Sequence, residues 1–205
     1  MALTQVIGKG LGTLGDGTAN DVKIVFDGNA QDFHIGLDDS ADSLTIGLGS
    51  ALGTTSHMVF DANGHITKPL QPAFNATNNG TQSDIALATQ VTVALGTERF
   101  DVNADFASDT FTAPVTGKYQ LNVFIRIDNL DSAAHYYELR ILTSNSGYGI
   151  ILDPDFGQDQ AYFNMSLAVL ADMDASDTAK VELRQEGGTQ QTDILDARFS
   201  GFLAC

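Results

Sequence analysis

Hydrophobic and polar residues alternate with a period of two along most of the chain. In residues 119–128, apolar side chains at the odd positions alternate with polar ones such as Gln120, Asn122 and Arg126. Runs with the same period lie at 85–95, 137–141, 163–169, 179–183 and 197–203, and stretches rich in Gly, Asn, Asp and Ser separate them. The pattern predicts about seven or eight strands in an all-β, antiparallel sandwich of immunoglobulin, jelly-roll or related topology.

Composition divides the chain into three predicted parts. Residues 1–20 have a Gly at nearly every second or third position, so we expect an arm that attaches to another subunit or to a larger particle. Residues 21–68 contain short alternating runs, two of which, at 25–29 and 59–64, nearly repeat as a strand running into a turn. Because this part has few large side chains, we expect a β-rich stalk or collar formed with copies of itself. Residues 69–205 hold the longer strands and form the predicted head.

Several aromatic residues lie out of phase, on strand faces that the alternation predicts to be polar. They are Phe124, Tyr136, Tyr162 and Phe202. Apolar groups on both faces of a strand are expected where a sandwich packs against neighbours as well as its own core. We interpret these four residues as candidates for an oligomer interface, with isolated surface aromatics as the alternative.

The charge and the hydropathy of the chain exclude two classes of partner. The 26 acidic residues outnumber the 10 basic ones, for a formal charge of −16, so nucleic acid and anionic lipid would be repelled. No run of eighteen or more apolar residues occurs, and the first residues lack the pattern of a secretory signal. We therefore expect neither nucleic-acid binding nor membrane insertion. The only cysteine, Cys205, leaves no internal disulfide to stabilise the fold.

Three short motifs resemble the globular head of complement C1q, a trimeric jelly roll of the tumour-necrosis-factor superfamily. In residues 109–119, DTFTAPVTGKY, the matching residues are Phe111, Ala113, Pro114, Gly117 and Tyr119, and Asp109 replaces the family's usual small residue. The other two motifs are QPAFNAT at 71–77, which contains Phe74, and FSGFLAC at 199–205, which contains Phe199, Gly201 and Phe202. The resemblance covers 69–205 and implies a homotrimer whose inner sheets meet on a threefold axis.

The N-terminal part departs from this family, because it contains no collagen-like Gly-x-y repeat. Residues 24–55 are instead similar to repeats in fibre-like structural proteins of tailed bacteriophages. Those proteins combine an attachment arm, a β-rich trimeric shaft and an outward head. The second resemblance therefore implies a phage virion protein.

The sequence offers no convincing catalytic or cofactor site. The glycines at 10–15 satisfy a dinucleotide pattern, but a strand follows them where the chemistry needs a helix. No paired-carboxylate or nucleophile arrangement is defensible, and the four histidines lack metal-ligand spacing. Three acidic clusters have the oxygen chemistry of Ca²⁺ ligands, but we interpret each as a solvated turn, with calcium binding as the alternative. They are Asp38, Asp39 and Asp42; Asp153, Asp155 and Asp159; and Asp172, Asp174 and Asp177.

Taken together, these features predict a non-enzymatic, homotrimeric fibre, spike or decoration protein on the surface of a phage virion. Residues 1–20 would bind a capsid or tail protein, and the head would present loops to a host-surface glycan or protein. The alternative is a secreted or surface adhesion module of the complement-head type. A glycan depolymerase is a third hypothesis, and it requires acidic residues that converge in a groove.

Overall fold

The computed structural model describes residues 14–205, so most of the predicted arm lies outside the described residues. Within that range the fold is all-β, interrupted by two short 3-10 helical turns at Asp39–Ala41 and Val102–Ala104. The chain divides into two compact units, Met1–Leu70 and Gln71–Cys205.

The first unit is a five-stranded antiparallel meander. Its strands lie in chain order: β1 (Val22–Phe26), β2 (Phe33–Asp38), β3 (Ser43–Leu48), β4 (Ser56–Phe60) and β5 (Ile66–Thr67). The two near-repeats predicted from the sequence correspond to β1 and β4, which end at Phe26 and Phe60, each before a turn. After β4 the carboxylate of Asp61 accepts hydrogen bonds from the backbone N–H groups of Asn63 and His65, at 2.9 and 2.8 Å, and so closes that turn.

The second unit is a jelly-roll sandwich of two antiparallel sheets. Its strands are β6 (Ala73–Thr77), β7 (Val91–Thr92), β8 (Thr97–Asp101), β9 (Phe106–Ala107), β10 (Thr110–Thr112), β11 (Gly117–Leu130), β12 (Ala134–Thr143), β13 (Gly147–Leu152), β14 (Gln160–Met173), β15 (Thr178–Gly187) and β16 (Asp193–Leu203). One sheet, the β11 sheet, has the order β14-β11-β16-β6-β8. The other, the β12 sheet, has the order β13-β12-β15-β10-β9, with β7 also paired to β15.

The core between the two sheets consists of the in-phase residues of the long strands. On β11, Tyr119, Leu121, Val123, Ile125 and Ile127 are all buried, as their alternation predicts. The buried residues of the facing sheet include Tyr137, Leu139, Ile141, Ala179, Val181 and Leu183. The period of two therefore identifies the inner face on both sheets.

Residues 85–95 do not form the strand that their alternation predicts, and only Val91–Thr92 is a strand. Asp84 and Ala88 have left-handed backbone conformations, with φ of 56° and 54°, which interrupt an extended chain. The segment still packs on the sandwich, because Ile85, Val93 and Leu95 are buried. Its backbone N–H groups bond to β15 and to the turn that follows it, as in the 2.9 Å bond from Val93 to the Val181 carbonyl.

The three motifs that are distant in sequence meet in one aromatic cluster. The Phe74 ring lies 4.6 Å from that of Phe111 and 5.0 Å from that of Phe199, and the Tyr119 ring lies 5.4 Å from that of Phe111. All four residues are buried. The motifs therefore supply complementary parts of one core.

The other motif residues shape the backbone around this cluster. Pro114 is exposed in a bend, and the Tyr119 hydroxyl closes that bend by donating to the Val115 carbonyl at 2.7 Å. Gly201 leaves room for the core, because an added Cβ would lie 2.6 Å from Leu121 and 2.8 Å from Phe74. Gly117 similarly allows the Cys205 carbonyl oxygen to approach. Both glycines are needed for close approach.

Candidate interaction face

The outer face of the β11 sheet carries apolar and amide side chains in register across five strands. In one row, Gln120 lies between Leu170 on β14 and Phe202 on β16. The next row contains Ala168, Asn122, Ser200, Asn75 and Phe100, and the row after it contains Ser166, Phe124, Arg198 and Thr77. Tyr162 lies further along β14, opposite Asp128.

Large apolar groups on this face are open to solvent in the single chain. The exposed fractions are 47% for Phe202, 58% for Leu170, 51% for Phe100 and 64% for Tyr162. Phe124 is half-buried near the middle of the sheet, and the Arg198 guanidinium carbon lies 5.9 Å from the centre of its ring. Exposed apolar groups clustered on one sheet face are typical of an interaction surface.

The four predicted interface aromatics do not all lie on this face. Phe124, Tyr162 and Phe202 lie on this face. Tyr136 belongs to β12 in the other sheet, where it pairs with Glu186 on the neighbouring strand β15. A strand's alternation marks a residue as outward-facing without showing which sheet that strand joins. Leu170 and Phe100, in contrast, belong to this face but were not among the predicted residues. The sequence pattern could have identified Leu170, because it is an apolar residue at an out-of-phase position directly after the in-phase Val169, just as Phe124 is out of phase on β11.

Two arginines border a shallow depression of about 320 Å³ on the same face. Arg99 and Arg198 line it together with Asn75 and Thr77. The Arg198 guanidinium also pairs with the Asp196 carboxylate at 3.2 Å, and both partners are exposed enough for water to weaken the pair. This depression gives the apolar face a cationic region within a strongly acidic chain.

Two aspartates fix the loops at one end of the sandwich. The buried Asp131 carboxylate accepts backbone hydrogen bonds from Ala133 at 2.7 Å and Gln190 at 2.8 Å, as well as one from Thr189, and so ties the β11–β12 turn to the β15–β16 turn. Burial raises the pKa of Asp131, but these hydrogen bonds outweigh that effect and hold the pKa below its usual value. Asp159 accepts from the N–H and hydroxyl of Ser132, at 2.8 and 2.7 Å. The loops at this end are therefore held in place by hydrogen bonds.

The acidic clusters are used mainly to stabilise turns. Asp38 caps the first 3-10 turn by accepting from the Ala41 N–H at 3.2 Å. Asp177 accepts from the Asp174 N–H at 2.8 Å, and Asp172 pairs with Lys118 at 2.5 Å. Within residues 14–205, no group of three or more acidic, histidine or cysteine side chains has an arrangement that could hold a metal ion.

A pair of carboxylates lies in the turn between β8 and β9. Burial, and then the negative charge of Asp101, raise the pKa of Asp105 above its usual value. Asp101 itself accepts backbone hydrogen bonds from Asp105 and Phe106, at 3.0 and 2.9 Å. Asp101 therefore holds together the segment that joins β8 to β9.

Comparison with known proteins shows the fold. No family profile and no curated protein matches the sequence. Among solved structures, the globular domain of the zebrafish complement 1qA protein has a TM-score of 0.50 and 23% sequence identity, and the match covers 66% of this chain and 98% of that domain. At this identity the likeness establishes the jelly-roll architecture.

Two further solved structures have lower similarity scores. The PRD1 vertex protein P5 has a TM-score of 0.42 and 15% identity, over 65% of this chain and 97% of that one. Murine APRIL has a TM-score of 0.44 and 11% identity, over 63% of this chain and 98% of that one. In the described part of the chain, no helix has the length and apolar character needed to cross a bilayer.

Proposed function

We propose that the protein is a non-enzymatic structural component of a bacteriophage virion: a homotrimeric fibre, spike or decoration protein on the particle surface. Residues 71–205 form the outward head, and three heads associate through the outer face of the β11 sheet. Residues 1–20 attach the trimer to a capsid or tail protein.

The exposed apolar face of the β11 sheet is the observation that carries the proposal. Leu170 and Phe202 flank the uncharged Gln120, and both would lose solvent contact between copies. Complete burial of one such side chain contributes about 1.5–3 kcal/mol, so a few of them per copy are enough to favour association. The neighbouring amide and hydroxyl groups supply hydrogen-bond partners across the contact.

The phage assignment is supported by the N-terminal part of the sequence. Residues 24–55 are similar to repeats of phage fibre-like proteins, and they fold as a short antiparallel meander. The chain thus combines a Gly-rich arm, a small β unit and a jelly-roll unit, as an attachment protein requires. Three heads in one assembly would bind a host surface with avidity even if each contact is weak. The fixed loops around Asp131 and Asp159 are suited to such presentation, since they are already ordered.

The oligomeric state provides the first test. Light scattering on the purified full chain should give about 65 kDa, three times the chain mass of 21.8 kDa. A mass of one chain at micromolar concentration would refute the trimer. A stable dimer would refute the threefold arrangement.

Labelling of intact particles tests the location. Immunogold against the head should decorate the surface of virions, and the position of the gold would distinguish capsid from tail. Absence of label from virions that contain the protein in their proteome would exclude an exposed position. Detection on producing cells instead would favour the alternative, an adhesion or ligand module of the complement-head type.

The non-enzymatic assignment is tested with host polysaccharide. Incubation with the purified trimer should leave the polymer length unchanged, with a known depolymerase as the positive control. Shortening that increases in proportion to protein concentration would show that the protein is a glycan depolymerase.

A further inference from the structure

The sheet of the first unit buries its polar face and exposes its apolar face. Cross-strand register aligns twelve large apolar residues on one side: Val22, Ile24, Phe26, Phe33, Ile35, Leu37, Leu44, Ile46, Leu48, Met58, Phe60 and Ile66. Each of them is exposed or half-buried. We call this side the apolar stalk face.

On the opposite side of the same sheet the chain covers the middle strands, β2 and β3, and leaves Lys23 on β1 exposed. His34, Asp38, Ser43 and Thr45 are buried there. The loop after β3 lies over them, and the His34 Nδ1 is 2.9 Å from the Gly49 carbonyl oxygen. Close approach is possible because position 47 is Gly, where a Cβ would lie 2.3 Å from the Thr55 carbonyl oxygen.

This arrangement is the reverse of what a lone sheet in water would adopt. Side chains alternate between faces, so the chain could have placed its covering loop on the apolar side. An antiparallel sheet with one covered face normally covers the hydrophobic one. Within residues 14–70, Leu14 lines a depression of about 280 Å³ on this face, and the twelve side chains stay exposed or half-buried, so burial against a partner would stabilise the unit.

From these observations we infer that the apolar stalk face packs against the same face of the other two copies in the trimer. The inference rests on the proposed trimer of heads. A second copy fits because the face is apolar on all five strands, so the faces of different copies match in chemistry, and apolar sheet faces pack about 10 Å apart. The net charge of −16 does not oppose this contact, since none of the twelve side chains is charged.

The size of the face explains why the heads are needed. Five strands about 4.8 Å apart, with about five residues each at about 3.4 Å per residue, give a face of about 400 Å². A stable protein–protein contact typically buries about 800 Å² on each partner. The stalk face alone is thus too small for a stable dimer. Association of the heads would raise the local concentration of stalk units to about the millimolar range, where a weak contact forms.

Cysteine cross-linking of the full chain tests this inference. In a Cys205→Ser background, Ile24→Cys and Leu44→Cys each place one thiol on the apolar stalk face. Lys23→Cys is the matched control, because Lys23 is exposed on the opposite side of the same strand as Ile24. With a short bismaleimide, the two stalk-face variants should give covalently linked chains, and the control should stay at background. Circular dichroism and light scattering verify the fold and the trimer of each variant.

Each other outcome has a distinct meaning. A trimer in which neither stalk-face thiol cross-links would overturn this inference and leave the proposed trimer of heads intact. A full chain that is monomeric would refute both. Equal cross-linking of all three variants, or cross-linking that disappears on dilution of an intact trimer, would show random contact and would also overturn the inference.

Discussion

The two outer faces of the sandwich are built from the same kind of antiparallel ladder but differ in chemistry at their centres. On the β12 sheet, neighbouring strands place charges of opposite sign side by side. Glu182 accepts from Arg140 at 2.7 Å and pairs with Lys180 at 2.9 Å, while Glu138 lies opposite Arg184. The central outer positions of β11 carry Gln120, Asn122 and Phe124, flanked by exposed Leu170 and Phe202. The charged side chains of this face, among them Lys118, Arg126 and Arg198, lie around this centre.

The difference is the one that the proposed trimer predicts. A face in water can keep charged side chains hydrated at their ends, and cross-strand ion pairs stabilise it modestly. A face that enters a protein contact loses that water, so charges there are costly while amides and apolar groups are tolerated. Strand period distinguishes the inside from the outside of this sandwich, and the chemistry of the outer positions is what leads us to propose that the β11 face contacts a partner.

Charges placed on the apolar outer face should have the largest effect. In the double variant Leu170→Asp with Phe202→Asp, the carboxylates would have to lose water at the proposed contact, so we expect trimers to dissociate into 21.8 kDa chains by light scattering. The control is Ile151→Asp on β13, because Ile151 is 68% exposed but belongs to the charged sheet. A double variant that remains trimeric would show that the interface lies on another surface.

A smaller effect, on the free energy of unfolding, is expected from substitutions at two neighbouring residues that lie on opposite faces of β16. Gly201→Ala places a Cβ against Leu121 and Phe74 in the core and should lower the free energy of unfolding by about 1–3 kcal/mol. Ser200→Ala, one residue away on the outer face, should change it by less than about 0.5 kcal/mol when both are made in the monomeric Leu170→Asp, Phe202→Asp background. Urea unfolding at one fixed protein concentration measures both, since assembly makes stability concentration-dependent. Equal effects would contradict the assignment of inner and outer faces.

Removing a charge from the outer face of the β12 sheet should have the smallest effect on the free energy of unfolding, and this effect should depend most on pH. Burial raises the pKa of Glu182, but hydrogen bonds from Lys180 and Arg140 outweigh it, so the pKa lies below its usual value of 4.5. This group therefore stabilises the fold above its unfolded-state pKa, and that stability is lost as the pH falls through the folded-state pKa. Glu182→Gln should cost about 1–2 kcal/mol at pH 7 and reduce the loss of stability on acidification.

The control for this substitution is on the other face. In the monomeric Leu170→Asp, Phe202→Asp background, Asp196→Asn breaks a partly exposed pair with Arg198, and a change of less than about 0.5 kcal/mol is expected at any pH. Urea unfolding from pH 7 to pH 3 measures both variants. Asp131 has a lowered pKa as well, so part of the acid sensitivity should remain in Glu182→Gln. An unchanged acid profile would show that the Glu182 network adds no stability.

Sequence alone could predict the inner faces of the long strands, because burial imposes the period of two directly. The buried row on β11 follows from the pattern, whereas the motifs name Phe74, Phe111 and Phe199 without showing that they meet in one cluster. The 85–95 segment could not be predicted in this way. Its apolar residues alternate and pack, but left-handed Asp84 and Ala88 turn the chain out of a strand.

The candidate face was predictable only in part. Phe124, Tyr162 and Phe202 are visible as out-of-phase aromatics, and Leu170 gives the same signal. Tyr136 gives it too, yet it lies on the β12 sheet, because sheet membership depends on long-range pairing. Sequence alone also does not predict which side of the first unit's sheet is exposed. The alternation in β2 and β3 defines two faces but does not show which of them the loop after β3 covers.

The apolar stalk face also has a consequence for biosynthesis. The first unit is translated before the 135 residues that form the head, Gln71–Cys205. At about 5–20 residues per second, the ribosome needs about 7–30 s to complete those residues, so a nascent chain can present twelve unburied apolar side chains for that time. Polysomes hold several such chains close together. Because the stalk faces need associated heads to form a stable contact, this face stays open to non-specific aggregation until the heads have folded and assembled.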